Sequence, residues 1–135
     1  MTRLETERLV LREPEAGDLD VVRKADAQIL GRVGFLVWDP SDWSHGLRVD
    51  VAEPYETELG WALGREHWSH GYATEAARAA RDWAFAERDL PRLISLINVE
   101  NHASIRVAEK LGAVAGQIVE GPPFTGPTCV YELER

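Results

Sequence analysis

Apolar and polar residues alternate along short segments of this chain, and two longer segments between them repeat at helical spacing. Alternation is typical of β-strands, whereas Ala76, Ala80 and Trp83 recur at the spacing of one helix face. The pattern predicts helices at 73–86 and 103–111. It predicts strands at 6–13, 21–24, 28–38, 59–63, 93–99, 114–120 and 128–133, with a short further strand at 49–51.

The segment from Glu58 to Arg78 joins a strand to a helix through a polar loop that contains several small residues. A strand that leads into a helix N-terminus presents unpaired backbone N–H groups and the positive end of the helix dipole, which together suit a phosphate. The loop lacks the Lys-Ser/Thr ending of a nucleoside-triphosphate loop and the spaced glycines of the dinucleotide fingerprint. Spacing alone leaves two interpretations, an anion-binding turn and an ordinary strand-to-helix connection.

Two sequence motifs favour the anion-binding turn. The run WSHGYATEA at 68–76 resembles the pyrophosphate loop of the GCN5-related N-acetyltransferases (GNAT), in the branch that acetylates ribosomal-protein N-termini (RimJ/RimL). The run NHASIRVAEKLG at 101–112 resembles the N-x-x-S-x-R-x-x-E-K-x-G helix of the same branch. Both occur in the family's order with a strand between them. The resemblance extends from about Gly31 to the C-terminus, with a shorter match at 6–14.

The resemblance implies an α+β fold, a mixed and mostly antiparallel sheet flanked by helices, whose central strands at 59–63 and 94–98 splay apart. Acetyl-coenzyme A would lie in the V between these strands as co-substrate, and no metal is implied. Its pantetheine amides would add to the first strand like a short extra strand. The implied cofactor-binding residues are Trp61, Ala62, Leu63, Ser69, His70, Gly71, Tyr72, Ala73, Thr74 and Asn101.

Two positions of the loop depart from the family pattern. Ser69 stands where a glycine is usual, and Glu66 stands where Arg or Gln is frequent. Ser69 keeps its N–H, so we expect cofactor binding to survive, whereas Glu66 should turn away from a phosphate. Arg65, Arg78 and Arg81 are candidates for the missing positive charge, with solvated surface arginines as the alternative.

Amide formation requires a neutral amine that attacks the thioester carbonyl directly within a ternary complex. Glu58, at the mouth of the splayed strand, is the candidate general base, with an exposed strand-end carboxylate as the alternative. Ser104, which the resemblance places near the thioester sulfur, is the candidate for protonating the departing thiolate. Its alternative role is to satisfy backbone donors at a helix N-terminus. Trp43 and Phe124, both in predicted loops, are candidates to line the acceptor cleft.

The N-terminal part of the chain departs from the organisation that the resemblance implies. Two helices should separate the first and second strands, but here a helix start at 14–18 is followed at once by the strand at 21–24. Either the protein lacks these helices, or the sequence omits a disordered segment between Gly17 and Val22. We favour the second interpretation, because removing elements that cover one sheet face would expose a large apolar surface.

Composition restricts the class of protein further. A chain of 135 residues with 44% hydrophobic side chains suits one domain spanning 1–135. A net charge of −8 and a pI near 5.0 disfavour nucleic acid as a partner. Cys129, the single cysteine, can form no internal disulfide, and His67 and His70, expected on the surface or in loops, lack the partners of a metal site. Without a signal peptide or a membrane-spanning apolar run, a cytoplasmic location is expected.

The leading hypothesis is an acetyl-coenzyme A dependent N-acetyltransferase that acts on a primary amine, either a protein N-terminus or a small molecule. One alternative is a catalytically degenerate protein of the same fold that binds coenzyme A or a partner. Another is an α+β interaction module whose motif match is accidental. The sequence does not identify the acceptor, and the oligomeric state stays open, with a homodimer as one option.

Overall fold

A computed structural model of the chain describes residues 3–15, 18–46 and 55–135. Within these ranges the strands form one sheet in the order β1-β2-β3-β4-β6-β7-β9-β8, with β5 paired to β4. Every described strand pair is antiparallel except β6 with β7, so the predicted α+β class with a mixed sheet is confirmed. The elements are β1 Arg3–Glu5, β2 Leu9–Glu15, β3 Asp18–Arg23, β4 Ile29–Asp39, β5 Ser44–Gly46, β6 Glu56–Leu63, a 3₁₀ turn Arg65–His67, α1 Tyr72–Glu87, β7 Arg92–Asn98, α2 His102–Lys110, β8 Val114–Val119 and β9 Thr128–Glu134.

Both helices lie on the same face of the sheet. α1 packs its buried alanines, among them the fully enclosed Ala80, against Leu59 of β6 and Leu93 of β7. α2 packs Ala108 on Ile97 of β7. Leu93 and Ile97 are four positions apart in one strand, so their side chains point to the same side. Neither helix of the described chain is both long and apolar enough to cross a membrane.

The opposite face of the sheet carries no helix within the described residues. Over β2, β3 and β4 this face presents charged side chains, including Arg12, Asp20 and Arg32, which are neighbours in register. Arg32 Nε lies 3.8 Å from Asp20 Oδ1. Nearer to β6 the same face is covered by the rings of Trp38 and Phe124. Charged side chains and aromatic rings therefore occupy the surface on which an exposed apolar layer was expected.

The helix start expected at 14–18 is wrong. Pro14 lies inside β2, and Glu15 and Asp18 are register partners where β2 turns back into β3. The register of this pair is irregular between Arg12 and Glu15, and such an irregularity is where a strand tolerates a proline. No helix separates these two strands in the described chain. The hypothesis of an omitted segment stays a prediction.

The other predicted elements agree with the structure to within a few residues at their ends. The strand predicted at 28–38 is β4, and the helices predicted at 73–86 and 103–111 are α1 and α2. The strand predicted at 21–24 begins earlier, as β3, because Asp18 already pairs with Gly34. The strand expected at 49–51 lies outside the described residues.

Glu75 ties the connection between β1 and β2 to the first turn of α1. Its carboxylate accepts hydrogen bonds from the Thr6 hydroxyl, from the Arg8 backbone N–H at 3.0 Å and from Arg8 Nε at 2.8 Å. The Arg8 guanidinium also lies over the Tyr72 ring, 4.4 Å from its centroid. Burial alone would raise the pKa of Glu75, but the bonds from Thr6 and Arg8 outweigh it and hold that pKa below its usual value.

We expect Glu75→Gln to lower the free energy of unfolding by about 1–2 kcal/mol near pH 7, because a neutral amide loses the ion pair and one accepting oxygen. Since the folded-state pKa is lowered, the stabilisation is present above the unfolded carboxyl pKa and is lost as pH falls through the folded pKa. Urea denaturation near pH 7 and near pH 3 should show the difference from wild type shrinking at the lower pH. Glu87→Gln, at the exposed end of α1, is the matched control, and an undiminished difference in acid would contradict the ionic origin.

Candidate functional site

A cleft of about 320 Å³ opens between the end of β6, the loop before α1 and the first turns of α2. It exists because β6 and β7, although neighbours, share one register pair, Glu58 with Ile94, and separate beyond it. The splayed strand pair implied by the resemblance is therefore present. Every predicted cofactor-binding residue except His70 lines this cleft, and Ser104 lines it as well.

The backbone N–H groups at the start of α1 are available to a ligand. Across the described ranges, no carbonyl or side chain accepts a hydrogen bond from the amides of 69–74, and the first helical bond runs from Glu75 N–H to Gly71 O at 3.0 Å. Gly71 is the N-cap residue with φ 79°, a conformation that suits glycine. Unpaired donors and the positive end of the helix dipole thus face the cleft, which is the geometry of an anion-binding turn.

Trp61 contributes free backbone groups at the strand gap. The Gly64 N–H donates to Leu30 O of β4 at 3.0 Å. Successive residues of a strand direct their backbone N–H and C=O groups to alternate sides, so those of Ala62 also point to β4 and those of Trp61 point to the gap. The carbonyls of Leu59 and Leu63, which also face the gap, accept hydrogen bonds from side chains at 2.7 and 2.9 Å. The N–H and C=O of Trp61 therefore lie between two carbonyls that already accept hydrogen bonds. They can bind an extended ligand in the way that they would bind a neighbouring strand.

Glu58 bridges β6 and β7 at the point where they begin to separate. Its Oε1 accepts from Trp38 Nε1 at 2.9 Å, and its Oε2 accepts from the Leu96 N–H at 3.1 Å. Burial raises the pKa of Glu58, although the bonds from Leu96 and Trp38 and the nearby His45 oppose the shift. Glu58 does not line the cleft; it lies at the apex of the strand gap, on the helix-free face. A carboxyl group with a raised pKa is suited to accepting a proton near neutral pH.

Three aromatic rings surround Trp38, the hydrogen-bond partner of Glu58. Trp38, which is 8% exposed, is surrounded by His45 at 4.7 Å, Trp43 at 6.1 Å and Phe124 at 6.1 Å between ring centroids. Trp43 and Phe124 also contact each other at 5.7 Å. The two loop aromatics that the sequence suggested for the acceptor cleft are thus brought together on the helix-free face, beside Glu58.

Asn101 and Ser104 meet at the start of α2. Asn101 is the N-cap residue, and its Oδ1 accepts from the Ser104 backbone N–H at 3.2 Å. The capping role therefore belongs to the Asn101 side chain, while the Ser104 hydroxyl has no hydrogen-bond partner in the described part of the chain. The amide nitrogen of Asn101 and the hydroxyl of Ser104 both remain available at the cleft.

The positive charge at the cleft comes from α2. Arg106 and Lys110 line it, and they lie on one helix face because they are four residues apart. The three arginines proposed from the sequence are engaged elsewhere: Arg81 Nη1 donates to a carbonyl after α2 at 2.8 Å, Arg78 donates to the Lys110 carbonyl at 3.4 Å, and Arg65 lies 5.4 Å from the Trp68 ring. The spacing of Arg and Lys within the second motif could have predicted this cationic face.

The two histidines of the loop differ in their surroundings. His67 lies in the connection between β6 and α1, as a loop histidine would, but it is 8% exposed and lines the cleft, so it is not a surface residue. It is buried because the 3₁₀ turn Arg65–His67 folds it back under the loop. His70 is exposed and contacts the Tyr72 ring at 5.8 Å. Nowhere in the described chain do three or more His, Cys, Asp or Glu side chains group to hold a metal.

Ser69 adopts φ 65°, a left-handed conformation that non-glycine residues avoid by roughly 1–2 kcal/mol. We therefore expect Ser69→Gly to raise the free energy of unfolding by about 1 kcal/mol, after the larger entropy of glycine in the unfolded chain is taken into account. Urea denaturation measures the change. Ser69→Ala keeps the Cβ atom and should give no gain, and a destabilised Ser69→Gly variant would show that the loop is not strained.

Comparisons with known proteins agree with this geometry. The family model described as acetyltransferase (GNAT) domain matches residues 9–114. The uncharacterised protein YkkB of Bacillus subtilis (strain 168) is 44% identical over 75 residues, which are 56% of this chain and 42% of YkkB. The uncharacterised N-acetyltransferase p20 of Bacillus licheniformis is 28% identical over 99 residues, which are 73% of this chain and 49% of p20.

The solved structures include close matches in fold. The crystal structure of the ribosomal-protein-S5-alanine acetyltransferase from Vibrio fischeri matches with a TM-score of 0.78 and 15% identity, over 99% of this chain and 97% of that one. At this identity the likeness shows the fold alone. The chain spans less than half the length of the two curated relatives that it matches.

Proposed function

We propose a function for this chain from one premise: it belongs to the acetyltransferase (GNAT) domain family, whose model matches residues 9–114. The family that the two motifs indicated is thereby confirmed. Our proposal is that residues 1–135 act as one domain that transfers an acetyl group from acetyl-coenzyme A to a primary amine. The observation that carries it is the cleft, in which free amides of the α1 N-terminus face the gap between β6 and β7.

The cleft suits two parts of the donor acetyl-coenzyme A, the pyrophosphate and the pantetheine arm. The unpaired amides of 69–74 and the dipole of α1 would hold the pyrophosphate, supported by Arg106 and Lys110. The backbone of Trp61 and the side-chain amide of Asn101 would hold the pantetheine arm. Acetyl-coenzyme A supplies the activated acyl group, and in this proposal the protein binds it, positions it and handles the protons.

Ala73→Asp tests donor binding. Ala73 is the second residue of α1 and lines the cleft, so a carboxylate there would repel a phosphate. An acidic residue in the first turn also stabilises the helix, so the variant should stay folded. We expect the Kd for coenzyme A to rise at least about tenfold, which corresponds to 1.4 kcal/mol. Isothermal titration calorimetry measures this; Ala73→Ser is the control, and unchanged affinity in Ala73→Asp would place the phosphates elsewhere.

Proton transfer in the proposed reaction is assigned to Glu58 and Ser104. The nitrogen of a neutral amine attacks the thioester carbon, the C–N bond forms as the C–S bond breaks, and the amine proton passes to Glu58 directly or through water. The Ser104 hydroxyl would donate a proton to the leaving thiolate and regain one from water. The Trp61 N–H, which points into the strand gap, would stabilise the negative oxygen that develops during attack. No covalent intermediate on the protein is needed.

Glu58→Gln tests the base assignment through pH dependence. Because burial raises the pKa of Glu58, wild-type kcat/KM should fall as pH decreases through an apparent pKa above the ordinary carboxyl value. Trp38, Leu96 and His45 face the carboxylate and should limit the shift. The variant should lose about 10²–10⁴-fold in kcat/KM and should lose this acidic limb.

Glu100 is an exposed carboxylate between β7 and α2, so Glu100→Gln is the matched control for Glu58→Gln. It should keep both the rate and the profile. A Glu58→Gln variant with nearly full turnover at neutral pH would restrict Glu58 to a structural role, in which it joins β6 to β7.

The acceptor amine is a protein N-terminus or a small molecule. The Vibrio fischeri neighbour is named for a ribosomal protein, and its likeness here is one of fold. A catalytically degenerate protein that binds coenzyme A is the second candidate function, because the face without helices is where acceptor contacts of the implied helices would have been. Transfer assays over an amine panel separate the two, since binding without transfer supports the second. A cytoplasmic location is part of the proposal.

A further inference from the structure

We propose that the ring cluster of Trp38, Trp43, His45 and Phe124, together with Glu58, selects the acceptor, and that it selects a primary amine whose single ammonium group is carried on an aromatic or aliphatic body. This inference rests on the proposed function and names the substrate class of the same site. It excludes polyamines, anionic amines and free amino acids as preferred acceptors.

The cluster is assembled from separate parts of the chain around one carboxylate. Trp38 ends β4, Trp43 lies in the turn between β4 and β5, His45 lies in β5, and Phe124 lies in the connection between β8 and β9. Trp38 joins this cluster to Glu58 through its Nε1 donor at 2.9 Å. Rings from distant segments thus converge at the point where the strand gap begins.

The position of Trp43 shows that the turn is held against a backbone preference. Its φ of 56° is left-handed, where glycine or asparagine would be the ordinary residue. Such a conformation persists only where the surrounding contacts enforce it. Here the Trp43 N–H donates to Asp39 O at 2.6 Å within the turn, and the rings of Trp38 and Phe124 lie at 6.1 and 5.7 Å. The turn therefore carries an aromatic side chain at a position where glycine would adopt the backbone conformation without steric strain.

The charges around the cluster favour a cation. Glu56 is the register partner of Trp38 and pairs with Arg92, which also donates to Glu132 at 2.6 Å. Among the described residues of β6, β7 and β9 beside the cluster, the carboxylates of Glu56, Glu58 and Glu132 outnumber the Arg92 guanidinium, and the faces of the rings add negative potential. An ammonium group is attracted to such a surface and an acceptor carboxylate or phosphate is repelled.

The exposed part of the cluster favours an apolar body behind the ammonium group. Trp43 and Phe124 are half-buried and His45 is exposed, so their rings form the surface that the body would contact. A polyamine would place a second ammonium group along these rings, and the neighbouring Glu56 and Glu132 are already paired with Arg92. Contact with the rings removes aromatic and aliphatic groups from water, which favours binding. A second ammonium group would lose hydration there, which disfavours binding.

The test is a transfer assay that follows release of the coenzyme A thiol from acetyl-coenzyme A. The panel is 2-phenylethylamine, tryptamine and hexylamine, against spermidine, glycine and a peptide with a free N-terminus. We expect kcat/KM for the first three to exceed that for the others at least about tenfold. Phe124→Leu and Trp43→Leu should each raise the KM for 2-phenylethylamine about fivefold or more and leave the KM for acetyl-coenzyme A unchanged.

Ile118→Ala is the matched control, because Ile118 is a 53% exposed apolar residue on β8 outside the cluster. It should leave both KM values unchanged. Transfer that favours spermidine or the peptide, or a KM for 2-phenylethylamine that neither ring variant changes, would overturn this inference and leave the proposed function standing. Absence of both coenzyme A binding and transfer to any amine would overturn the proposed function, and the inference with it.

Discussion

The separation of β6 from β7 is the constraint on which the rest of the structure depends. Two parallel neighbours in the middle of a sheet would ordinarily close a continuous ladder, and here one register pair is all that joins them. Side chains replace the missing ladder bonds at the apex: the Ser95 hydroxyl donates to Leu59 O at 2.7 Å, and the Leu96 N–H donates to Glu58. Both bonds satisfy groups that would otherwise be buried without partners, so the gap begins at a defined residue.

A gap in the middle of the sheet connects its two faces, and the charged groups beside the gap differ between the two faces. On the helix-covered face, Arg106 and Lys110 and the positive end of the α1 dipole surround the cleft. On the helix-free face, Glu56 and Glu132 pair with Arg92, and the Glu58 carboxylate lies at the apex of the gap. An anionic donor and a cationic acceptor would therefore approach from opposite sides and meet at the gap, without competing for one entrance.

Sequence reasoning succeeded where the chemistry is carried by the backbone and by local spacing. The small residues and glycine at 69–73 placed the turn of unpaired amides that precedes α1, and the alanine stripe placed α1 on the sheet. It failed where tertiary contacts decide. The sequence suggests Arg78 and Arg81 as phosphate ligands, but in the structure both donate hydrogen bonds to carbonyls at the end of α2. Pro14 signals a strand end, yet pairing of its neighbours with β3 continues the strand.

The same distinction applies to the sheet face on which the described residues place no helix. Local patterns show that Trp38, Trp43 and Phe124 are apolar, but they do not show that the three rings pack on one another and shield the carboxylate of Glu58. A helix over this face would bury the rings and close the gap from that side. Among the described residues, the rings that pack at the apex come from two neighbouring strands and two loops, and Trp43, His45 and Phe124 stay partly exposed there. In the proposed reaction this arrangement buries the candidate base Glu58, whose pKa burial raises, and leaves a surface for the acceptor beside it.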